Sequence, residues 1–362
     1  DWKDSEGRNF IAQTEDKVKW GKAAATFKRI IDMNKYAIHT VSKIVNEKGT
    51  GTLPLPETVS DADFPDGAGG IDPYKSYKTL FDGTYQPELV KEYIYFSKNN
   101  GNYILVTPSK LGGISSFSVT LDMIDEYRMA DGRPFSEATQ AEKSWQAVGQ
   151  DKTFSSDYLL SGNRAHRDDG REPRFYAAIG FNACIWPTTS HRDGLSAGTR
   201  NYVTDYYYGG SASDMNNNNN RNRTGYTNRK YVHQDDCIFW NGVVKAKTYP
   251  LCRYAEVLLN YAEAACGAGE MGVAVEQLKK IRARVGYTSA NNFGLQTNLS
   301  GDQAACFAAI LYERQIELAY EGKRFDDLRR WMLFDGGAER AEGAPDTWVP
   351  SGWNGNTCTY LG

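Results

Sequence analysis

The stretch Glu313–Trp331 reads ERQIELAYEGKRFDDLRRW and carries the strongest fold signal in the 362-residue chain. Five of its nineteen residues are Arg or Lys, and they alternate with acidic, aliphatic and aromatic residues at helical spacing. A surface helix would not need so many large apolar side chains, and a purely apolar core helix would not carry so many charges. We therefore predict two helices that join near Gly322, with their charges paired, because an unpaired buried charge is costly.

A second helical pattern covers Leu251–Val285, where apolar residues recur in steps of three and four on either side of a Gly-rich turn. We predict two antiparallel helices here. Helical pairs of this length have the size of a tetratricopeptide repeat, whose period is about 34 residues. The predicted shared face consists of Leu258, Ala262, Leu278 and Ile281.

The N-terminal stretch Asp16–Asn34 is also predicted to be helical. Its apolar side chains recur at +4, +3 and +4, which places them on one face. A helix that covers this face is expected upstream of Asp1. The residues of the face are Trp20, Ala24, Phe27 and Ile31.

These patterns divide the chain into four predicted segments. Residues 1–45 are a helical-repeat remnant, and residues 46–248 form a mixed, irregular region with short strands. Residues 249–335 contain the tetratricopeptide-like helical pairs, and residues 336–362 form a loop or tail.

Glu313–Trp331 closely resembles the C-terminal signature of the SusD/RagB family, E-R-x-x-E-L-A-x-E-G-x-R-x-x-D-L-x-R-W. Four further stretches resemble family segments in the same order, so the resemblance covers Leu121–Trp331. It implies a mainly α fold, in which a tetratricopeptide-like helical scaffold carries an irregular, short-strand-containing ligand-binding region. The four stretches are LDMIDEYRMADGRP (Leu121–Pro134), GREPRFYAAIGFN (Gly170–Asn182), YPLCRYAEVLLNYAEA (Tyr249–Ala264) and LKKIRARVG (Leu278–Gly286).

The resemblance also implies a function. It predicts a non-enzymatic, cofactor-free protein on the extracellular face of the outer membrane. This protein would bind an oligosaccharide, or a peptide, and deliver it to a TonB-dependent, SusC-like transporter. Family members begin with a signal peptide and a lipid-carrying Cys. This chain begins at Asp1 without either, so we expect it to be incomplete at both ends and to reach the membrane only through an N-terminal lipid.

Composition excludes other classes of protein. The chain has 42 Lys and Arg against 45 Asp and Glu, a formal charge of −3. This balance argues against nucleic-acid binding, which needs a basic face to displace counterions. The mean hydropathy is −0.59, and no apolar run is long enough to span a membrane.

Motifs for chemistry are weak. Gly267–Gly272 matches G-x-G-x-x-G, but a predicted helix precedes it, which indicates an inter-helix turn and not a dinucleotide site. The six Cys and four His show no metal-ligand spacing. Cys252 and Cys266 fall in an apolar pattern and are predicted to be buried thiols. Acidic pairs such as Asp122/Asp125 and Asp168/Asp169 leave a glycoside hydrolase open as an alternative, as is a purely protein-binding helical adaptor.

The candidate ligand site rests on aromatic residues in the irregular middle of the chain. Tyr and Trp offer a flat apolar face and a polar tip, and both suit sugar rings and wet interfaces. Consecutive Tyr residues can also alternate across a strand, with one side buried. No catalytic or metal-binding residue is assigned. The predicted ligand contacts are Trp186, Arg192, Tyr206, Tyr207 and Tyr208.

Overall fold

The computed structural model describes residues 5–6, 16–42, 70–99, 103–148, 163–187, 201–207, 210, 222–233, 236, 244–331 and 333. These residues are mainly helical with short strands, which confirms the predicted fold class. The helices are α1 (Lys17–Asp32), α2 (Pro73–Lys78), α3 (Tyr103–Val106), α4 (Leu121–Glu126), α5 (Pro173–Ala178), α6 (Tyr254–Gly267), α7 (Met271–Arg284), α8 (Gln303–Glu317) and α9 (Arg324–Arg330). The strands are β1 (Tyr93–Asn99), β2 (Ile179–Gly180), β3 (Ile185–Pro187), β4 (Asn201–Val203), β5 (Thr227–Asn228) and β6 (Lys247–Arg253).

The chain divides into two compact units. The helical unit comprises Asp1–Lys35, Ala255–Lys279 and Gln296–Gly362, and the mixed unit comprises Tyr36–Tyr254 and Lys280–Leu295. The finer division at residues 45, 248 and 335 stays a prediction. No helix in the described part of the chain has the length and apolar character needed to cross a bilayer.

Helix α1 packs its predicted apolar face inside the helical unit. Asp16 caps its N-terminus, accepting a hydrogen bond from the Val18 N–H at 3.0 Å. The face is covered by Tyr261, Ala264 and Val273. The expectation that a helix upstream of Asp1 covers this face is therefore wrong, because α6 and α7 supply the covering residues.

Close approach of α1 to α6 requires a small residue. A Cβ added at Gly267 would lie only 2.3 Å from the Trp20 ring, so only Gly fits there. The Trp20 ring also contacts Phe307 (6.0 Å between centroids). Phe307 in turn lies 5.0 Å from Trp331 at a steep angle, so an aromatic series runs from α1 through α8 to the end of the signature stretch.

The signature stretch forms the predicted pair of helices, α8 and α9. Gly322 adopts a left-handed φ of +77° in the turn between them, which favours glycine. Asp327 accepts hydrogen bonds from Arg314 Nε (2.9 Å) and Arg330 Nε (3.0 Å). The predicted pairing of charges is confirmed for these two Arg residues and stays a prediction for Glu317, Glu321 and Arg324.

A buried carboxylate on α6 completes this network. Glu263 is 4% exposed. It accepts two hydrogen bonds from the Arg330 guanidinium and one, at 3.2 Å, from Trp331 Nε1. Buried carboxylates need such partners, since burial removes their hydration. Glu263 thus joins the signature stretch to α6.

Helices α6 and α7 form the second predicted pair, joined by a short turn at Ala268–Glu270. The four predicted core residues of this pair are each no more than 1% exposed, which confirms their assignment to the interior. The prediction is wrong at Leu251, which lies in β6 and is 50% exposed. Hydrogen bonds to β1 keep residues 247–253 extended, and they override the helical period of the sequence.

Among the described residues of the mixed unit, three two-stranded antiparallel ribbons pair β1 with β6, β2 with β5 and β3 with β4. The β1–β6 ladder shifts register around Tyr95, which is the mark of a bulge. A single 3-10 turn at Pro87–Leu89 precedes strand β1, which begins at Tyr93. Short ribbons leave much of this unit in turns, as the Gly-rich and Asp-rich sequence suggests.

Glu92, just before β1, forms ion pairs with two buried Arg residues of the mixed unit. It accepts hydrogen bonds from Arg253 (2.7 Å) and Arg284 (3.2 Å), and all three side chains are fully buried. The His39 backbone N–H also donates to Glu92, at 2.6 Å. Burial lowers the pKa of His39, so its imidazole stays neutral near pH 7.

Replacing Glu263 by Gln is expected to lower the free energy of unfolding by about 2–3 kcal/mol, because the buried Arg–carboxylate contacts of the signature stretch lose their charge. Urea unfolding followed by circular dichroism measures this difference. The matched control is Glu276→Gln, which breaks the exposed Lys279–Glu276 pair and should leave stability nearly unchanged. Equal effects of the two substitutions would contradict the assigned role of Glu263.

Replacing Glu92 by Gln is expected to cost about 3–5 kcal/mol, because two buried guanidinium groups lose their counter-charge. The same unfolding measurement tests it, with Glu88→Gln as control. Glu88 pairs with Lys98 at the surface. A Glu92→Gln protein as stable as the control would show that Arg253 and Arg284 find other partners.

Candidate functional site

Trp186 is central in β3 and is buried. Its backbone lies opposite Tyr202 in β4, and the residue is 2% exposed. The Arg229 guanidinium lies 5.3 Å from its ring centroid. A Cβ added at Gly180 would come within 3.1 Å of the ring. A ring buried to this extent offers no face on which a ligand could stack, so Trp186 is not part of the candidate ligand site.

Three of the other predicted contacts, Tyr206, Tyr207 and Tyr208, follow β4 in the sequence. Tyr206 is 5% exposed, whereas Tyr207 is 60% exposed. This difference is the alternation expected along an extended backbone. Tyr207 is therefore the described candidate that faces solvent. Arg192 and Tyr208 lie outside the described residues, so their contact with a ligand stays a prediction.

A hydrogen-bonded turn at residues 222–226 lies beside this stretch. Asn222 Oδ1 accepts from the backbone N–H groups of Thr224 (3.1 Å) and Gly225 (2.8 Å), a turn geometry that Asn favours. Gly225 has a φ of +79°. The carbonyl oxygen of Tyr206 lies 3.4 Å from the position that a Cβ on Gly225 would take, so Tyr206 and the turn are in close contact.

Residues 117–119 run along the other side of the turn. The Arg223 N–H donates to Ser118 Oγ at 2.7 Å, and the Val119 N–H donates to the Tyr226 carbonyl at 3.0 Å. The hydroxyl of Thr227 donates to the Phe117 carbonyl at 2.9 Å. These bonds fix the backbone from which the Phe117 side chain projects.

Three exposed aromatic residues adjoin this turn, each through a different contact: Phe117 precedes Ser118, Tyr207 follows Tyr206, and Trp145 packs against the Tyr226 ring. We call these three residues the aromatic patch. Large aromatic side chains are expensive to leave in water, and such groupings mark contact surfaces for ligands or partners. The patch consists of Phe117 (47% exposed), Trp145 (61%) and Tyr207 (60%).

Trp145 is the largest member of the patch, and its surroundings fix its ring. The Tyr226 ring lies 6.4 Å away in a tilted arrangement. The Arg167 guanidinium lies over the ring, 4.1 Å from its centroid, a cation–π contact. Arg167 is itself held by an ion pair with Asp125. One face of the indole is thus supported by a fixed cation, while most of the residue stays in solvent.

Asp125 and Asp168 give this site its electrostatics. Burial raises the pKa of Asp125, against the opposing effect of Arg167. Burial also raises the pKa of Asp168 to about 6, and the hydrogen bond from the Tyr226 hydroxyl, at 2.8 Å, partly offsets this. Asp168 is 2% exposed. Its carboxylate therefore binds the Tyr226 hydroxyl inside the protein and is not accessible to a ligand on the patch.

The chemical capacity of the site is recognition. Flat aromatic faces suit the C–H faces of sugar rings, and the partly exposed Asp125 and exposed Arg223 offer an acceptor and donors to hydroxyl groups. Among the described residues, no group of three or more His, Cys, Asp or Glu is placed to hold a metal ion.

Comparison with known families identifies the chain. The model of the SusD family matches residues 79–356. The chain belongs to the SusD family. The match includes the aromatic patch, α6 to α9 and the signature stretch, and it confirms the family resemblance of the sequence.

The individual SusD-like proteins that match this chain do so over part of their own length and at 21–38% sequence identity. SusD-like protein P2 of Formosa agariphila is 38% identical over 97 residues, which are 26% of this chain and 19% of that protein. The solved structure of BT4246 aligns with a TM-score of 0.64 at 22% identity, covering 90% of this chain and 54% of that one. A SusD-like carbohydrate binding protein from Bacteroides fragilis aligns with a TM-score of 0.53 at 21% identity, covering 87% and 49%.

These alignments show a shared fold. The chain spans about half the length of the solved SusD-like structures that it matches. The activity, ligand and partners of the whole protein are therefore matters for proposal.

Sequence reasoning missed two of the three members of the patch in this SusD family chain. Phe117 and Trp145 stand in stretches without a helical or strand period, next to Ser and Gln. Their exposure depends on contacts with Arg167, Tyr226 and Thr227, which are distant in sequence. The available signal was a large aromatic residue in a polar loop, and Trp145 fits that description.

The raised pKa of Asp168 predicts a pH dependence of stability. Because the pKa is about 6 in the folded protein and near 3.9 when unfolded, the folded state binds the proton more tightly. The stabilisation that comes from protonated Asp168 is complete below about pH 4 and is lost as the pH rises through about 6. The stability of Asp168→Asn minus that of the wild type should thus increase by about 2–3 kcal/mol between these values. Chemical denaturation across pH 4–8 measures it, and a constant difference would contradict the prediction.

Proposed function

We propose that this chain is a non-enzymatic glycan-binding protein of the bacterial cell surface, and that the aromatic patch contacts the sugar. The observation that carries the proposal is the exposure of Trp145 on an ordered support: an indole 61% exposed whose ring is held in place by Arg167 at 4.1 Å. A preformed aromatic face binds without the entropic cost of ordering it.

Family membership supports the class of ligand. A fold relative is described as a SusD-like carbohydrate binding protein, and the patch combines stacking faces with nearby polar groups, which suits a saccharide better than an apolar ligand. Tyr207 belongs to the patch, and Arg192 and Tyr208 remain proposed ligand contacts. A short peptide is the alternative ligand, and titration with both ligand classes distinguishes a peptide from an oligosaccharide.

We further propose that the whole protein delivers its ligand to a TonB-dependent, SusC-like transporter in the outer membrane. Attachment to the extracellular face of that membrane through an N-terminal lipid accompanies this role. Both proposals rest on membership of the SusD family. Pull-down of the full-length lipoprotein from detergent-solubilised membranes should recover an outer-membrane transporter as the major partner, and its absence would contradict the delivery role.

Hydrolysis is the alternative that the site geometry disfavours. A glycosidase needs two carboxyl groups that reach opposite sides of a glycosidic bond. Near the patch, Asp168 is buried and bonded to Tyr226, and Asp125 is paired with Arg167. Neither carboxylate is placed as a proton donor to a sugar above the Trp145 ring.

Removal of the Trp145 ring should weaken glycan binding. Stacking of one ring contributes about 1–3 kcal/mol, by analogy with base–aromatic stacking, so Trp145→Ala should raise Kd roughly 5- to 150-fold. Isothermal titration with linear glucan, xylan and galactan oligosaccharides, and with short peptides, measures it. Tyr95→Ala is the matched control, because Tyr95 is 65% exposed on β1, which pairs with β6 and not with the turn at residues 222–226.

Three outcomes would contradict parts of this proposal. Equal affinities of wild type, Trp145→Ala and Tyr95→Ala would remove the patch as the binding surface. Binding of peptides alone would change the ligand class. Release of new reducing ends from a bound glycan would establish an enzyme.

A further inference from the structure

Two cysteine residues of the helical unit meet where α6 ends and α8 begins. Cys266 is the penultimate residue of α6, and Cys306 lies in the first turn of α8. Both are fully buried, and the structure records both as thiols. Their juxtaposition is not encoded by sequence spacing, since forty residues, including all of α7, separate them along the chain.

Hydrogen bonds hold these two helix ends together at the cysteines. The Gln303 side-chain amide donates to the Cys266 carbonyl at 2.7 Å. In the other direction, Cys266 Sγ lies 3.6 Å from the Gln303 carbonyl oxygen. Cys306 is three residues after Gln303 and therefore lies on the same side of α8. The Cys266 thiol thus faces the first turn of α8 at the level of Cys306.

The two thiols also interact directly. A hydrogen bond between the side chains of Cys266 and Cys306 lowers the pKa of Cys306, while burial acts in the opposite direction. A thiol hydrogen bond of this kind requires neighbouring sulfur atoms with no side chain between them. A disulfide would bring these two sulfur atoms from non-bonded contact to about 2.05 Å.

We propose that Cys266 and Cys306 form a disulfide that links α6 to α8 when the protein matures in an oxidising compartment. The oxidant is an external disulfide, of a small molecule or of a thiol–disulfide exchange protein. Because both sulfur atoms are buried in the folded chain, the exchange takes place while the two helices are still closing on each other.

The reaction balances as two successive exchanges. The Cys306 thiolate attacks one sulfur of the external disulfide and releases one external thiolate. The Cys266 thiolate then attacks Cys306 Sγ in the mixed disulfide and releases the second. Two protein thiols are oxidised, one external disulfide is reduced to two thiols, and the two protein protons pass to the thiolates that leave.

The bond would tie the scaffold across α7. It closes a loop from residue 266 to residue 306, so it restricts the unfolded chain and stabilises the folded one, on the chain-entropy account. It would also fix the position of α6 relative to α8. Trp20 of α1 packs against residues of α6 and against Phe307 of α8. The remaining described cysteines, Cys184 and Cys252, lie in the mixed unit and are not part of this pair.

Peptide mapping tests the bond directly. The full chain is exported to an oxidising compartment, purified without reductant, alkylated under denaturing conditions and digested with trypsin. Cleavage after Arg253, Lys279, Arg284 and Arg314 yields peptides 254–279 and 285–314, each with one cysteine. The expected species is the two peptides joined, lighter by two hydrogen atoms than their sum. Recovery of both peptides separately alkylated, or joined to other cysteines, would overturn the proposal.

Thermal unfolding gives a second, independent measurement. Reductant should lower the Tm of the wild type by roughly 5–10 °C and leave the Tm of the Cys266→Ala/Cys306→Ala double variant unchanged. Cys184→Ala is the matched control, because Cys184 is a fully buried thiol that contacts Thr204, and this variant should keep the wild-type response to reductant. A wild-type Tm that is the same with and without reductant would also overturn the bond.

Discussion

The carboxylate of Glu263 is the contact on which the helical unit depends. It lies on α6, it is almost completely buried, and it accepts hydrogen bonds from Arg330 and Trp331 at the far end of the signature stretch. Asp327 repeats the arrangement by bonding Arg314 of α8 and Arg330 of α9. A buried charge of either sign would be unfavourable alone. Because the carboxylates and guanidinium groups come from three different helices, they are satisfied together only when the helices adopt one mutual arrangement.

The mixed unit uses the same device around Glu92, which binds Arg253 at the end of β6 and Arg284 at the end of α7. Lys247 and Asp236 form a further buried pair. The Lys78 ammonium donates to the Arg229 carbonyl, and burial lowers the pKa of Lys78 to about 7. Two-stranded ribbons and short helices bury little apolar surface each. Ion pairs at the ends of these small elements therefore fix how the elements are arranged. In a larger sheet, the hydrogen bonds between strands would do this.

The sequence predicted those parts of the fold that depend on local periodicity. Helix α1, the α6–α7 pair and the α8–α9 pair follow from apolar residues in steps of three and four, and Gly322 marked the turn correctly. The strand β6 was missed at Leu251, because its partner β1 lies about 150 residues earlier and a ladder at that separation leaves no local pattern. The cover of α1 was misplaced for the same reason: Tyr261 is remote in sequence and adjacent in space.

The site was harder to predict than the fold, and Trp186 and Trp145 show why. Both are Trp residues in irregular sequence, and local composition cannot separate them. The backbone of Trp186 joins a ribbon and its ring fills the space that Gly180 leaves open, so it is structural by packing. The ring of Trp145 is held by Arg167 and Tyr226, both placed by tertiary contacts, and stays in water. Exposure is a property of what surrounds a residue, and the surroundings here are a turn, a buried Asp–Tyr bond and an Arg–Asp pair from three separate stretches. The candidate site is thus assembled from loop contacts that local sequence does not encode, and such loops are where recognition residues concentrate in proteins.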